Sequence, residues 1–210
     1  MHTTALQQEL MDALHGHTCP LCAVIERSLK TQIGHILYES VNDGILRSRY
    51  IEKDGFCHRH GKLMRAVGDP LAHAILYGHL LKMRLSSWQK PRPKPLKQGC
   101  LLCVRETEIE THVISAFTHC LKADDFLTAY RNNGLVCQDH FHQIALNPAR
   151  RAHAEVLEGF KRVTLDKYAQ LLHHLEELAR KHDYRYADEP RTQAERVAWQ
   201  EIVDLLGKKR

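Results

Sequence analysis

Apolar residues recur at steps of three and four along most of this chain. Ile25, Leu29, Ile33, Ile36 and Leu37 fall on one helix face, and Ile109, Val113, Ala116 and Phe117 repeat that face further on. A longer seam runs through Leu157, Phe160, Thr164, Tyr168, Leu171, Leu175 and Leu178, alternating steps of three and four as in a coiled coil. Short helices are expected around 43–53 and 124–132. Gly55 and Gly134 suit a helix C′ position with positive φ. Further helices start at Cys57 and Cys137. Asp69-Pro70 and Asn147-Pro148 read as an N-cap followed by proline at N1, opening helices that run to about Trp88 and His182. Thr192 and Glu195 form a capping box for a last helix that stops at Gly207. No segment reads as a strand, so the expected class is all-α.

The pattern is written twice. Cys19-Pro-Leu-Cys22 matches Cys100-Leu-Leu-Cys103 at a shift of 81, Cys57 and His60 match Cys137 and His140 at 80, Tyr50 matches Tyr130, and Asp69-Pro70 matches Asn147-Pro148 at 78. The expected organisation is an N-terminal helix (1–18), a first repeat (19–89), a basic proline-spaced linker (90–99), a second repeat (100–182), and a polar loop with a closing helix (183–210).

The matched positions carry the chemistry. Each copy holds three cysteines and a histidine: Cys19, Cys22, Cys57 and His60, then Cys100, Cys103, Cys137 and His140. Two residues between paired ligands let both donors reach one ion from a single turn, and 34 or 33 residues between the pairs leave room for a helix out and a helix back. Three thiolates and an imidazole make a closed tetrahedral set suited to structural zinc, one ion per copy and two per chain. Helix N-termini beneath the cysteines favour thiolate. Only His60 and His140 superpose when the copies are aligned; His58 falls on Gln138 and His142 on Lys62, so neither is taken as a ligand. Cys120 has no counterpart and reads as a buried thiol. An iron–sulfur cluster on the same residues is the alternative, and a redox dithiol at either Cys-x-x-Cys lacks its usual βαβ setting.

Composition narrows the picture without changing it. The 210 residues are 43% hydrophobic and 26% charged, ordinary values for a globular protein. No apolar run spans a membrane, and the first residues lack the features of a signal peptide, so a cytoplasmic address is expected. Seven cysteines then argue for metal rather than disulfides. Six thiolates and two divalent ions would bring the formal +5 down to about +3, which argues against nucleic acid as a partner and leaves a protein partner as the expectation.

The segment Lys181-His-Asp-Tyr-Arg185 is richer in charge and aromatics than a simple turn needs. Asp183 and Arg185, flanked by Tyr184 and Tyr186, are expected to lock the last helix back onto the repeats. Any catalytic site would lie beside them, but no nucleophile triad, phosphate loop or nucleotide fingerprint accompanies them, and a non-enzymatic role is expected.

The combination "CPLC", "GFCHRH", "CLLC", "VCQDH" and "KHDYR" resembles an uncharacterised family of bacterial helical proteins, a domain of unknown function. That resemblance implies two metal-like sites on a helical fold and supplies no activity. "GLVCQDH" departs from it by one extra residue between the glycine and the cysteine.

Overall fold

The structure is a computed structural model that describes residues 4–16, 18–93, 95, 99–146, 154–186 and 188–207. Among them are ten α-helices and no strand: α1 (Ala5–Ala13), α2 (Pro20–Tyr38), α3 (Gly44–Glu52), α4 (His58–Val67), α5 (Pro70–Trp88), α6 (Leu101–Cys120), α7 (Asp124–Asn132), α8 (Gln138–Ala145), α9 (Ala154–Arg180) and α10 (Gln193–Leu206). The expected all-α class, built as a tandem repeat, is the one found. The order α2–α5 recurs as α6–α9. The Asn147-Pro148 cap and part of the basic linker lie outside the described residues.

Local chemistry accounts for most boundaries. The Asp69 side chain accepts from Ala72 N, with Pro70 in the first turn, and so starts α5. Thr192 and Glu195 complete a reciprocal capping box at α10. Gly55 ends α3 at φ 95°, as its position predicts. Gly134 does not share that conformation. A β-carbon there would come within 2.6 Å of the Tyr130 ring and 2.7 Å of Leu14, so close approach, not a left-handed turn, calls for glycine.

The chain forms two compact units that cut across the two copies. Unit 1 combines residues 1–24 with 112–210, and unit 2 is residues 25–111. Thus α2 begins in unit 1 and continues in unit 2, and α6 begins in unit 2 and continues in unit 1.

Unit 2 has an aliphatic core of Leu29, Ile33, Ile36, Leu37, Met64 and Leu76, joined by Tyr50 and by Cys100 and Leu102 at the start of α6. Unit 1 is built around aromatic rings. Phe117 meets Phe126, Tyr130 and Phe160 edge-on at 5.5–5.8 Å, a favourable geometry for ring quadrupoles. Leu157, Phe160, Thr164 and Leu171 of the long seam are buried, so α9 presents its predicted face to this core.

The closing segment differs from expectation. Asp183 and Arg185 pair with each other at 2.6 Å on the surface, and among the described residues no hydrogen bond or ion pair joins Arg185 to α10. The link to α10 is one turn earlier. Lys181 Nζ lies 2.9 Å from both carboxylate oxygens of Glu195 and donates to Pro190 O at 3.1 Å, with both side chains over nine-tenths buried. Arg180 adds a bridge between Glu177 and Glu189, and Arg191 donates to Lys181 O.

Candidate metal centres

Four helix N-termini carry the donors. Cys19 and Cys100 stand immediately before α2 and α6, with Cys22 and Cys103 in the first turns. Cys57 and Cys137 are the N-caps of α4 and α8, with nearly the same backbone (φ −65°, ψ 163° and φ −74°, ψ 164°). His60 and His140 follow three residues on, which turns each Nδ1 back towards its own N-cap sulfur at 3.2 and 3.3 Å.

Two groups of four donors result, and each draws on both copies. In unit 1, Cys19 and Cys22 meet Cys137 and His140; in unit 2, Cys57 and His60 meet Cys100 and Cys103. The pairing expected within each copy, Cys19 and Cys22 with Cys57 and His60, and Cys100 and Cys103 with Cys137 and His140, is therefore corrected. Helix length gives the reason. The 19 residues of α2 carry the chain about 28 Å from the first cysteine pair, while the nine of α3 bring it back only about 13 Å. Cys57 accordingly packs against the core cluster to which Leu29, Ile33 and Ile36 of α2 belong, and to which Cys100 also belongs. The same mismatch holds between α6, with 20 residues, and α7, with nine.

In unit 1 the Nδ1 of His140 is 3.3 Å from each of Cys19, Cys22 and Cys137 Sγ, and Cys22 and Cys137 are 3.7 Å apart. In unit 2 the Nδ1 of His60 is 3.2, 3.4 and 3.3 Å from Cys57, Cys100 and Cys103 Sγ, with Cys57 and Cys103 3.8 Å apart. Every donor in a group lies within 4.8 Å of the others. A tetrahedron with usual zinc–sulfur and zinc–nitrogen bonds has edges of about 3.8 Å between sulfurs and about 3.5 Å from sulfur to nitrogen. Both groups fit a single ion. All seven cysteines are free thiols. His58 and His142 are exposed and outside both groups, and Cys120 is buried apart from them.

The surroundings separate the two centres. In unit 1, Cys19, Cys137 and His140 are buried, and Cys22 is half-buried. Burial and then the sulfurs of Cys137 and Cys22 push the Cys19 thiol well up. The sulfurs of Cys19 and Cys22 pull the Cys137 thiol far down, against burial and with help from His140. Burial works against protonation of His140, but the adjoining sulfurs of Cys137 and Cys22 override it and raise it to about 9.

In unit 2, Cys100 and His60 are buried, Cys57 is half-buried and Cys103 is exposed. Burial raises Cys57, but the backbone N–H groups of His60 and Arg59 and the neighbouring sulfurs bring it below the ordinary thiol value. Cys103 is pushed up to about 12, chiefly by desolvation and then by Cys100. Desolvation, followed by the Arg59 charge, lowers His60 against the pull of Glu106. Arg59 Nη2 stands 2.9 Å from His60 Nε2 and pairs with Glu106, whose Oε2 is 3.5 Å from the same ring nitrogen. A histidine that coordinates through Nδ1 keeps its proton on Nε2; Glu106 is the acceptor at hand, and for it to take that hydrogen bond the Arg59 guanidinium, itself a donor, must turn away from the ring nitrogen. Sequence reading missed Arg59 and Glu106, and the pairing of Lys181 with Glu195. The capping box flagged Glu195 for another reason, and no local spacing announced the rest.

The fold and these groups define a duplicated, all-helical protein with two Cys₃His sets that could hold metal ions. The chain belongs to the family of unknown function DUF6062, whose model matches it twice, over residues 1–97 and 90–208. It is also similar to an uncharacterized 23.9 kDa protein in the xynA 3′ region of Caldicellulosiruptor sp. (strain Rt8B.4), 33% identical over 199 residues that cover 90% of this chain and 94% of the relative. No solved structure matches it. No helix among the described residues is long and apolar enough to cross a membrane.

Proposed function

We propose that each Cys₃His group binds one zinc ion as a structural clip, and that the protein is a non-enzymatic binding or scaffold module that works with a protein partner in a reducing compartment such as the cytoplasm. The observation that carries this reading is the mutual spacing of the four donors in each group, close to the edges of a zinc tetrahedron. Cys19, Cys22, Cys137 and His140 would hold one ion, and Cys57, His60, Cys100 and Cys103 the other. A four-ligand set leaves no open position for water or substrate, so the ion would supply folding energy by fixing two helix N-termini. Sulfurs 3.7–3.8 Å apart suit one ion better than a cluster, whose terminal ligands sit on separate irons. Free thiols in all positions agree with a compartment that keeps cysteine reduced.

Elemental analysis of protein purified without added metal tests the reading. Two zinc ions per chain are expected. A brown protein containing iron and acid-labile sulfide would instead establish the cluster, and a metal-free protein with oxidisable Cys-x-x-Cys pairs would establish a dithiol.

A further inference from the structure

Unit 1 has a recess of about 210 Å³ next to its metal centre. It is bounded by Gly16 and Thr18, by Asn133 and Leu135 on the way to Cys137, and by one face each of α9 and α10. Its apolar floor is Leu171 and Leu205, both buried. Two groups of opposite charge line it, Lys167 of α9 and Glu201 of α10.

Neither charge has an opposite charge beside it among the described residues. Lys167 Nζ donates to Gly134 O at 2.8 Å and stands 5.8 Å from the centre of the Tyr130 ring. Among the described residues no carboxylate lies within the 4.0 Å of an ion pair with it, and Glu201 likewise has no cation. Both are half-buried rather than extended into water. Elsewhere in unit 1 the chain brings such charges together, as Lys181 and Glu195 do. Here a lysine and a glutamate face one small cavity and stay apart.

We propose that this recess binds a small zwitterion, a carboxylate and a protonated amine on a skeleton of amino-acid size, with the carboxylate on Lys167 and the amine on Glu201. The volume is below the usual range for cofactor pockets, which favours a ligand of few heavy atoms. Burial lowers the Lys167 pKa, a penalty that a bound anion relieves. Leu171 and Leu205 offer a short apolar side chain a surface, and His174 supplies a further polar contact at the wall. Neither metal-ligand set takes part, so this inference stands whether or not the sites hold zinc.

The test uses the full-length, metal-loaded protein and L-alanine as the probe, followed by amide chemical shifts. Acetate and methylamine serve as the two half-ligands. At millimolar L-alanine the amides of Asn133, Leu135, Glu201 and Leu205 are expected to shift, with each half-ligand binding more weakly. Glu201→Gln, a substitution of equal size, should weaken L-alanine about tenfold while leaving acetate unchanged, since it removes one charged hydrogen bond. Lys167→Met should abolish both while retaining the metal content. No shift with any probe, unchanged L-alanine binding in Glu201→Gln, or half-ligands that bind as tightly as L-alanine would overturn the proposal.

Discussion

The two donor groups have the same residue types and nearly the same internal distances, yet their settings differ. In unit 1 the group sits beneath an aromatic core with three of four ligands buried. In unit 2 it borders an aliphatic core, one sulfur faces solvent, and its histidine leans on an Arg59–Glu106 pair. Duplication has preserved the ligands and let the surroundings diverge. On the zinc reading proposed above, the donor set would specify which ion fits, while the second layer would set how firmly it is held.

Metal retention should show the largest difference. Under a competing chelator, release is expected in two phases, the first from unit 2 through exposed Cys103. Cys103→Ser should remove the fast phase and Cys22→Ser the slow one. A single phase for both ions would contradict the contrast in burial. Glu106→Ala should weaken metal binding in unit 2 by about 10–100-fold and leave unit 1 unchanged, measured by competition with a zinc indicator.

Attachment of α10 comes next. Lys181→Met leaves the buried Glu195 carboxylate without its partner and should speed amide exchange throughout 193–206, whereas Arg185→Ala, which breaks only a surface pair, should not. The Lys181 ammonium, helped by Thr192, holds the Glu195 carboxyl below the ordinary glutamate value. A depressed carboxyl contributes stability that is complete above its unfolded pKa and is lost as pH falls through the folded value. Acidification below the usual glutamate range should therefore loosen α10, followed by Trp199 fluorescence, and Glu195→Gln should weaken that pH dependence, leaving the part carried by Glu177 and Glu189 on Arg180.

The smallest effect contrasts two matched tyrosines. Tyr130 Oη lies 2.7 Å from Thr164 Oγ1, which itself donates to Phe160 O, so the tyrosine donates to the threonine. Tyr50 Oη is buried with no hydrogen-bond partner among the described residues. Tyr130→Phe should cost about 1 kcal/mol, and Tyr50→Phe about nothing or a slight gain, by denaturant unfolding. Equal losses would show that Tyr50 has a partner after all.

The helices were legible because their signals are local: apolar steps along α2 and α9, Asp69-Pro70, and the Thr192 box. The candidate donors were read from the alignment of the copies, which singled out His60 and His140 over His58 and His142, and the structure gathers the same eight residues into two groups that could hold a metal. Their grouping was not. Superposing two copies shows which residues are equivalent, and an exchanged arrangement keeps every equivalence intact. What decides it is the length of α2 against α3 and of α6 against α7, a three-dimensional consequence that the residue count between ligands conceals. Lys181–Glu195 and Arg59–Glu106 were hidden for a similar reason, since each joins helices that sequence spacing does not relate. Gly134 shows the reverse, a matched position whose partner's conformation did not carry over.

The pairing of donors across the copies is tested most directly by counting metal ions in two double variants. Cys19→Ser with Cys137→Ser damages one centre and should leave one ion per chain. Cys19→Ser with Cys57→Ser damages both and should leave none. The reverse outcome, one ion kept by the Cys19/Cys57 variant and none by the Cys19/Cys137 variant, would place each site within a single copy and contradict the account.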